Sequence, residues 1–514
     1  MDAIVRFFEI HSTPPSLQDN TADLDRLRRA VGVALGGAEP AIAYGDITPL
    51  AAAYRKNGFA GVAVVNCLPG GYELVDFLSV PAGAPLGMAL DLGTTHLEAS
   101  LINLQDGSCL ARKNLENSQI RYGDDILSRI HFAATAGGLK TLQERVVADI
   151  NHLAERLAIQ AEVECREIRA LCVSGNTTMV HFFLNLDPHH LIREPYTPLC
   201  NSVDPIRASG LSLAVHPAAP VLVMPSVGSY FGGDLVSGII ASGMDRAEKV
   251  SMLIDVGTNA EVVIGNRDWM MACAGAAGPA LEGGVARMGM RAGVGAIERL
   301  EIEVKTGELS YTTIGGGKPV GLCGSGIIDL VAALYLCRVI DIRGKFREES
   351  SSDRLVRTEE GLAYVVAGSD ESADGRQVVF GQVDLDAVMR SKAAMYSILT
   401  TLASQVGVEL KELEKIYVAG AFGKHIKPRQ AIVLGMLPDL DIHTFVSIGN
   451  SSLAGAEKAL IDRSVIGSCR ELARKITYLE LNVNQDFMIR FSGCRFIPHT
   501  DHTLFPSVPF FNEA

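Results

Sequence analysis

Two short stretches place an acid, a glycine and small polar residues directly after an apolar run. The first is Gly87-Met88-Ala89-Leu90-Asp91-Leu92-Gly93-Thr94-Thr95. Residues 88–92 read as a buried strand. Gly93 can take backbone angles that other residues avoid, so the amides after it and the hydroxyls of Thr94 and Thr95 can turn toward an anion. Asp91 stands where a magnesium shell needs a carboxylate. A hairpin with a polar turn is the plain alternative for one such stretch taken alone. The second stretch, Ser251-Met252-Leu253-Ile254-Asp255-Val256-Gly257-Thr258-Asn259, repeats the pattern. Two matching turns point to a duplicated fold closing on one nucleotide. In that reading Asp91 and Asp255 organise magnesium, and Gly93, Thr94, Thr95, Gly257, Thr258 and Asn259 surround phosphate.

Other positions could add to this chemistry. Glu261 follows Asp255 on a strand expected to run beside the nucleotide, where a carboxylate can orient water; an ordinary polar strand residue is the alternative. Asp234 opens a helix expected over 235–242 and is a cap by default. Gly324, Ser325 and Gly326 start an apolar helix with side chains small enough to approach a phosphate or a packed neighbour closely. Ala419-Gly420-Ala421-Phe422-Gly423 follows a strand expected over 413–418, and its glycines let the backbone approach a base and ribose. Adenosine is expected at Gly420, Ala421 and Gly423. Arg121 and the segment Ser174-Gly175-Asn176-Thr177-Thr178-Met179 are further candidates for ligand contact, with helix capping as the plain reading.

The elements that must position these residues follow from periodicity and punctuation. Residues 1–80 form a small α/β leader, with a helical pattern at Leu24, Leu27, Val31 and Leu35 and a buried strand at 62–65. Val80-Pro81-Ala82-Gly83-Ala84-Pro85 ends it as a stiff linker, placed at 81–86. After the first turn, 97–104 and 109–113 extend a three-stranded meander around Gln105-Asp106-Gly107. The first lobe is expected over 87–250 and the second over 251–514, with a surface insertion near 341–381.

Composition excludes several classes. The chain has 514 residues, 48% of them hydrophobic, with a formal charge of −13. That balance lacks the basic footprint of a nucleic-acid surface. No run of about twenty residues is uniformly apolar, and the start has no signal-peptide pattern, so no membrane partner and a cytoplasmic location are expected. Ten cysteines include no Cys-x-x-Cys pair, so neither zinc nor an iron-sulfur cluster is expected. His189-His190 and the group Cys494, His499, Asp501 and His502 are weak metal candidates.

In order, Asp91-Leu-Gly-Thr-Thr, Asp255-Val-Gly-Thr-Asn, the helix start at Gly324 and Ala419-Gly-Ala-Phe-Gly resemble the phosphate, connecting and adenosine motifs of the actin/Hsp70/sugar-kinase (ASKHA, ribonuclease H-like) superfamily. The resemblance implies a duplicated, two-lobed α/β ATPase. More closely, Asn117-Ser-Gln-Ile-Arg-Tyr-Gly-Asp-Asp-Ile-Leu-Ser-Arg-Ile, Ser174-Gly-Asn-Thr-Thr-Met, the Gly278-Pro-Ala-Leu-Glu-Gly-Gly loop and Val418-Ala-Gly-Ala-Phe-Gly are similar to ATP-dependent reductive activators of corrinoid proteins. That likeness implies ATP and Mg2+ as cofactors and a corrinoid protein as partner, whose cob(II)alamin is reduced to cob(I)alamin. In those activators the nucleotide domain docks on the corrinoid protein, which makes Glu282 and Gly283 candidate partner contacts. Their usual Cys-x4-Cys-x2-Cys run is not seen before residue 80. The electron is therefore expected from a separate donor such as a ferredoxin, and a homodimer is left open. Two rival readings share the fold: a small-molecule kinase with Asp234 as general base, and a nucleotide-sensing scaffold.

Overall fold

The computed structural model describes residues 2–81, 83–257, 259–275, 286–350 and 352–511. They form two compact units: Met1–Ala241 with Ser451–Lys475, and Ser242–Asn450 with Ile476–Ala514. The leader is an antiparallel sheet of β1 (Val5–His11), β2 (Ala60–Leu68) and β3 (Gly71–Leu78). Two helices, Asp23–Ala34 and Ile47–Lys56, close its core around Leu27, Val31, Leu50 and Tyr54.

The sheet that carries the first turn runs in the order β6-β5-β4-β7-β9-β8. Its strands are β4 (Leu86–Leu92), β5 (His96–Asn103), β6 (Cys109–Glu116), β7 (Ile168–Gly175), β8 (Ile206–Arg207) and β9 (Pro220–Val223). β4 to β6 form the antiparallel meander, while β4–β7 and β7–β9 pair in parallel. Lying centrally, β4 is covered on both faces, which explains its near-continuous apolar run. Asp91 is the one residue of β4 that is not fully buried. The crossover to β7 is the helix Gly138–Ala161, whose stripe Leu142, Val146, Ile150, Leu153 and Leu157 lies in the core.

The second unit repeats the design. Its strands begin with β10 (Ser251–Val256), β11 (Ala260–Gly265) and β12 (Met270–Gly275). Then come β13 (Ala296–Ile302), β14 (Leu309–Thr313), β15 (Gly321–Leu322), β16 (Leu355–Thr358), β17 (Gly361–Ala367) and β18 (Val378–Gly381). Last are β19 (Ile416–Ala419), β20 (Phe445–Gly449) and β21 (Ile476–Tyr478). The order β20-β19-β10-β11-β12-β21 contains the series β12-β11-β10-β19-β20, the counterpart of β6-β5-β4-β7-β9. Directions agree too: β10 to β12 are antiparallel, and β10–β19 and β19–β20 are parallel. The one residue of β10 that is not fully buried is again the acid, Asp255.

Two sequence expectations need correction. A boundary at 251 leaves all later residues in the second lobe, but Ser451–Lys475 packs within the first unit. The reason is the helix Ser451–Ile461, which lies so close to the helix Gly233–Ser242 that a Cβ on Gly455 would meet Ser237 at 2.5 Å. The 341–381 region is also more than a surface excursion. β16 to β18 form a sheet whose Tyr364, Val366, Val378 and Phe380 enter the core of the second unit, together with the helix Gln382–Gln405.

Candidate functional site

The first turn leaves β4 at Asp91 and is held from behind. A Cβ on Gly93 would sit 2.4 Å from the His96 carbonyl, so no larger residue fits the reversal. All three carbonyls of the 93–95 turn are taken. Asn117 Nδ2 donates to Gly93 O at 3.0 Å, Arg129 Nη1 to Thr94 O at 2.7 Å, and the Asn117 amide to Thr95 O at 2.8 Å. In a trans peptide the N–H points away from the carbonyl of the same plane. Pinning the carbonyls therefore leaves the amides of Thr94, Thr95 and His96 facing the other way, the arrangement an anion requires. Asn176 Nδ2 also donates to Thr94 Oγ1 at 3.1 Å while its Oδ1 caps the helix Thr177–Phe183 through Met179 N.

The pinning residues are themselves fixed. Ser118 donates through its amide and hydroxyl to Asp149 Oδ2, and Gln119 Nε2 donates to Leu142 O, both on the long helix. The Asn117-Ser118-Gln119 motif is thus a bracket between that helix and the turn. Arg121 is exposed, whereas Arg129 on the helix Ile126–Ala133 is fully buried against the turn. Sequence reading offers the former as a ligand contact or part of a solvated cap; the structure sets the latter against the turn.

Asp91 is reached by a chain of buried hydroxyls. Ser452 Oγ donates to Asp91 Oδ1 at 2.7 Å, Ser174 Oγ lies 2.9 Å from Ser452 Oγ, and Ser237 Oγ lies 2.8 Å from Ser174 Oγ. With one proton per hydroxyl, a carboxylate acceptor at the end sets the chain to run Ser237 to Ser174 to Ser452 to Asp91. Asp234 lies in the first turn of the helix that bears Ser237, where its Oδ1 accepts from Leu235 N at 2.8 Å. A Cβ on the adjacent Gly232 would meet Asn176 Cα at 2.4 Å, so this helix start is pressed against the β7 turn.

In the second unit the Gly257 amide donates to Asn259 O at 2.9 Å, a tight reversal after β10. Asn259 is exposed, and Thr258 lies outside the described residues. Asp255 pairs with Ala419 of β19, and the next residue, Gly420, has φ of 73°. A Cβ there would lie 3.2 Å from Asp255 Oδ1, so Gly420 keeps open the space beside the carboxylate. Ala421 and Gly423 belong to the helix Gly420–His425, and a Cβ on Gly423 would strike Val418 O at 2.2 Å. Gly324 is buried at the beginning of the helix Gly324–Leu336. Ser325 is also buried, and its hydroxyl donates to Glu298 O at 2.9 Å, which ties the helix start to β13. Glu282 and Gly283 lie outside the described residues.

Strand register reveals an acid that sequence reading misses. Asp255 stands directly opposite Glu261, and in the first sheet Asp91 stands directly opposite Glu98. Facing residues of an antiparallel pair project to one side with Cβ atoms roughly 5 Å apart, and like charges so placed repel. In the first sheet Arg112 Nη1, 3.9 Å from Glu98 Oε1, offsets part of that charge. The signal that could have found Glu98 is its place on the strand after the turn, matching Glu261. Among the described residues no group of three or more His, Cys, Asp or Glu is placed to hold a metal ion. All ten cysteines are free, and burial pushes the Cys67, Cys172 and Cys273 thiols up, away from the thiolate form. No described helix is long and apolar enough to cross a membrane.

Comparison with known proteins gives consistent matches. Residues 86–247 match the family described as the RACo middle region, and residues 249–509 match the C-terminal domain of RACo, the ASKHA domain. The solved structure of a reductive activator for corrinoid, iron-sulfur protein superposes with a TM-score of 0.89 at 38% identity, covering 99% of this chain and 81% of that one. The corrinoid activation enzyme RamQ of Eubacterium limosum is 30% identical over 497 residues, which are 95% of this chain and 82% of RamQ. A [Co(II) methylated amine-specific corrinoid protein] reductase of Methanosarcina barkeri is 23% identical over 424 residues, 76% of this chain and 73% of that protein.

Proposed function

The chain belongs to the RACo family of reductive activators, and from that premise we propose that it binds and hydrolyses ATP to assist reduction of cob(II)alamin to cob(I)alamin on a partner corrinoid protein. The observation that carries the nucleotide part is the 93–95 turn, whose carbonyls are all engaged from behind. Its outward-facing amides bind phosphate oxygens, with Thr94 and Thr95 beside them. Asn259 and the Gly257 turn serve the same end in the second unit, and the space beside Gly420 admits the nucleoside. The Ser452 hydroxyl holds Asp91 in orientation, while Glu261, opposite Asp255, orients water. Asp91 in the first unit and Asp255 in the second, each at the end of its own central strand, are the carboxylates proposed to serve magnesium, which would supply charge neutralisation for phosphoryl transfer.

The likeness to proteins that act on corrinoid proteins supports the partner. Binding of ATP can drive that partner toward reduction only by favouring one conformational state over another. The electron comes from a separate donor of the ferredoxin class, in keeping with ten dispersed cysteines. Glu282 and Gly283 are proposed, from sequence alone, to contact the partner. The test mixes the full chain with a corrinoid protein in its cob(II) form and a low-potential reductant, and follows the visible spectrum with and without ATP. ATP-dependent formation of cob(I) supports the proposal. Equal rates with and without ATP, together with no nucleotide-dependent binding, refute it.

A further inference from the structure

Arg129 is the largest fully buried side chain among the described residues, with 0% exposure. Its Nε donates to Gly123 O at 2.9 Å, and its Nη1 donates to Thr94 O at 2.7 Å and approaches Met179 Sδ at 3.6 Å. Nη2 is buried and makes no hydrogen bond among the described residues. Nor does any described carboxylate bond to the guanidinium. The acids that act on it through space, Asp125 and Asp124, are exposed, and Asp125 is engaged in capping the helix through Ser128 N. Burial lowers its pKa to about 10, so it stays charged at neutral pH. A buried cation normally has a bonded counter-charge, because desolvation is costly. Fixing one carbonyl of a turn needs only a neutral donor, and Asn117 does that work one residue earlier.

We propose that Arg129 is a positioning residue that also supplies positive charge behind the phosphate turn, and that its missing counter-charge is the terminal phosphate of a nucleoside di- or triphosphate. This rests on the nucleotide reading above. The charge acts through the Thr94–Thr95 peptide that it holds, so it strengthens binding of phosphates at the turn and leaves nucleoside contacts alone.

The test compares ADP with AMP by calorimetry on the full chain, using Arg129→Gln, which keeps donors and loses charge, and Arg129→Lys, which keeps charge and loses the fork. In Arg129→Gln the affinity for ADP should fall about tenfold or more, the order expected for loss of one unit charge acting through a partly buried path, while AMP affinity changes less than about twofold. A residue needed only for folding would weaken both nucleotides alike. Arg129→Lys should keep most of the preference for ADP, and it decides the matter if Arg129→Gln fails to fold. The inference is overturned if the native chain binds ADP and Arg129→Gln keeps the same ADP-to-AMP ratio, or if Arg129→Lys loses that ratio. A native chain that binds no ADP overturns the nucleotide reading itself.

Discussion

Replacing Ser452 by alanine removes the hydroxyl that donates to Asp91 at 2.7 Å and accepts from Ser174. The site is 6% exposed, so little water can take its place. A hydrogen bond to a charged group contributes about 1.5–3 kcal/mol. Ser174 keeps its contact with Ser237, so the loss falls mainly on Asp91. For a unit of this size each kcal/mol shifts the melting temperature by about 2–4 °C, which gives a fall of about 3–12 °C. Misplacing the carboxylate should also slow ATP hydrolysis by about tenfold to a hundredfold. The neighbouring Ser451 is an internal control. It is also buried, but its hydroxyl makes no hydrogen bond among the described residues, so Ser451→Ala should be neutral within about 0.5 kcal/mol. Thermal melts and phosphate-release assays on the two variants check this. Equal melting temperatures for Ser452→Ala and Ser451→Ala would refute the reasoning about the relay, and an unchanged hydrolysis rate in a destabilised Ser452→Ala would remove Asp91 from the chemistry.

Asp255→Ala should cut ATP hydrolysis by about a hundredfold or more, on the order seen when transition-state charge stabilisation is removed, with little change in melting temperature. Phosphate release under saturating ATP measures it. Gly420→Ala puts a side chain at φ of 73° and within 3.2 Å of Asp255 Oδ1, so a loss of about 1–2 kcal/mol in stability should accompany slower hydrolysis. Urea unfolding followed by the same assay separates the two effects. Lys392 is fully buried, donating to the carbonyls of Phe496 and Pro498, and burial lowers its pKa to about 7. The unfolded chain keeps this lysine protonated up to its ordinary value, so unfolding takes up a proton above pH 7 and stability rises with pH there. Melts from about pH 7 to 8.5 should show that rise in the native chain and lose it in Lys392→Met.

Both acid-bearing strand ends are legible in the sequence because β4 and β10 are covered on both faces, which leaves each acid as the break in an apolar run. The meanders and the helix Gln382–Gln405 are legible for the same periodic reasons. Other features depend on contacts that sequence spacing does not encode. Ser452 lies 361 positions from Asp91, and only the return of its helix to the first sheet joins them. Glu98 becomes visible only when register sets it opposite Asp91. Arg129 reads as an ordinary helix residue until its burial shows that the helix faces the turn. The β16–β18 sheet reads as surface because its charged loops mask the alternation that buries Tyr364 and Val366.

The discontinuous first unit has a consequence for how the protein is made. A ribosome releases the leader and the strands β4 to β9 long before it reaches Ser451, and all of residues 242–450 must be synthesised in between. Until then β4 lacks the helix whose Leu460 lies against Gly87, and Asp91 lacks Ser452. The nascent first unit therefore waits with apolar surface uncovered, the condition in which chaperones engage a chain. Truncation at the apparent midpoint would preserve this incomplete state, so a fragment meant to fold alone must carry residues 451–475 joined to 1–241.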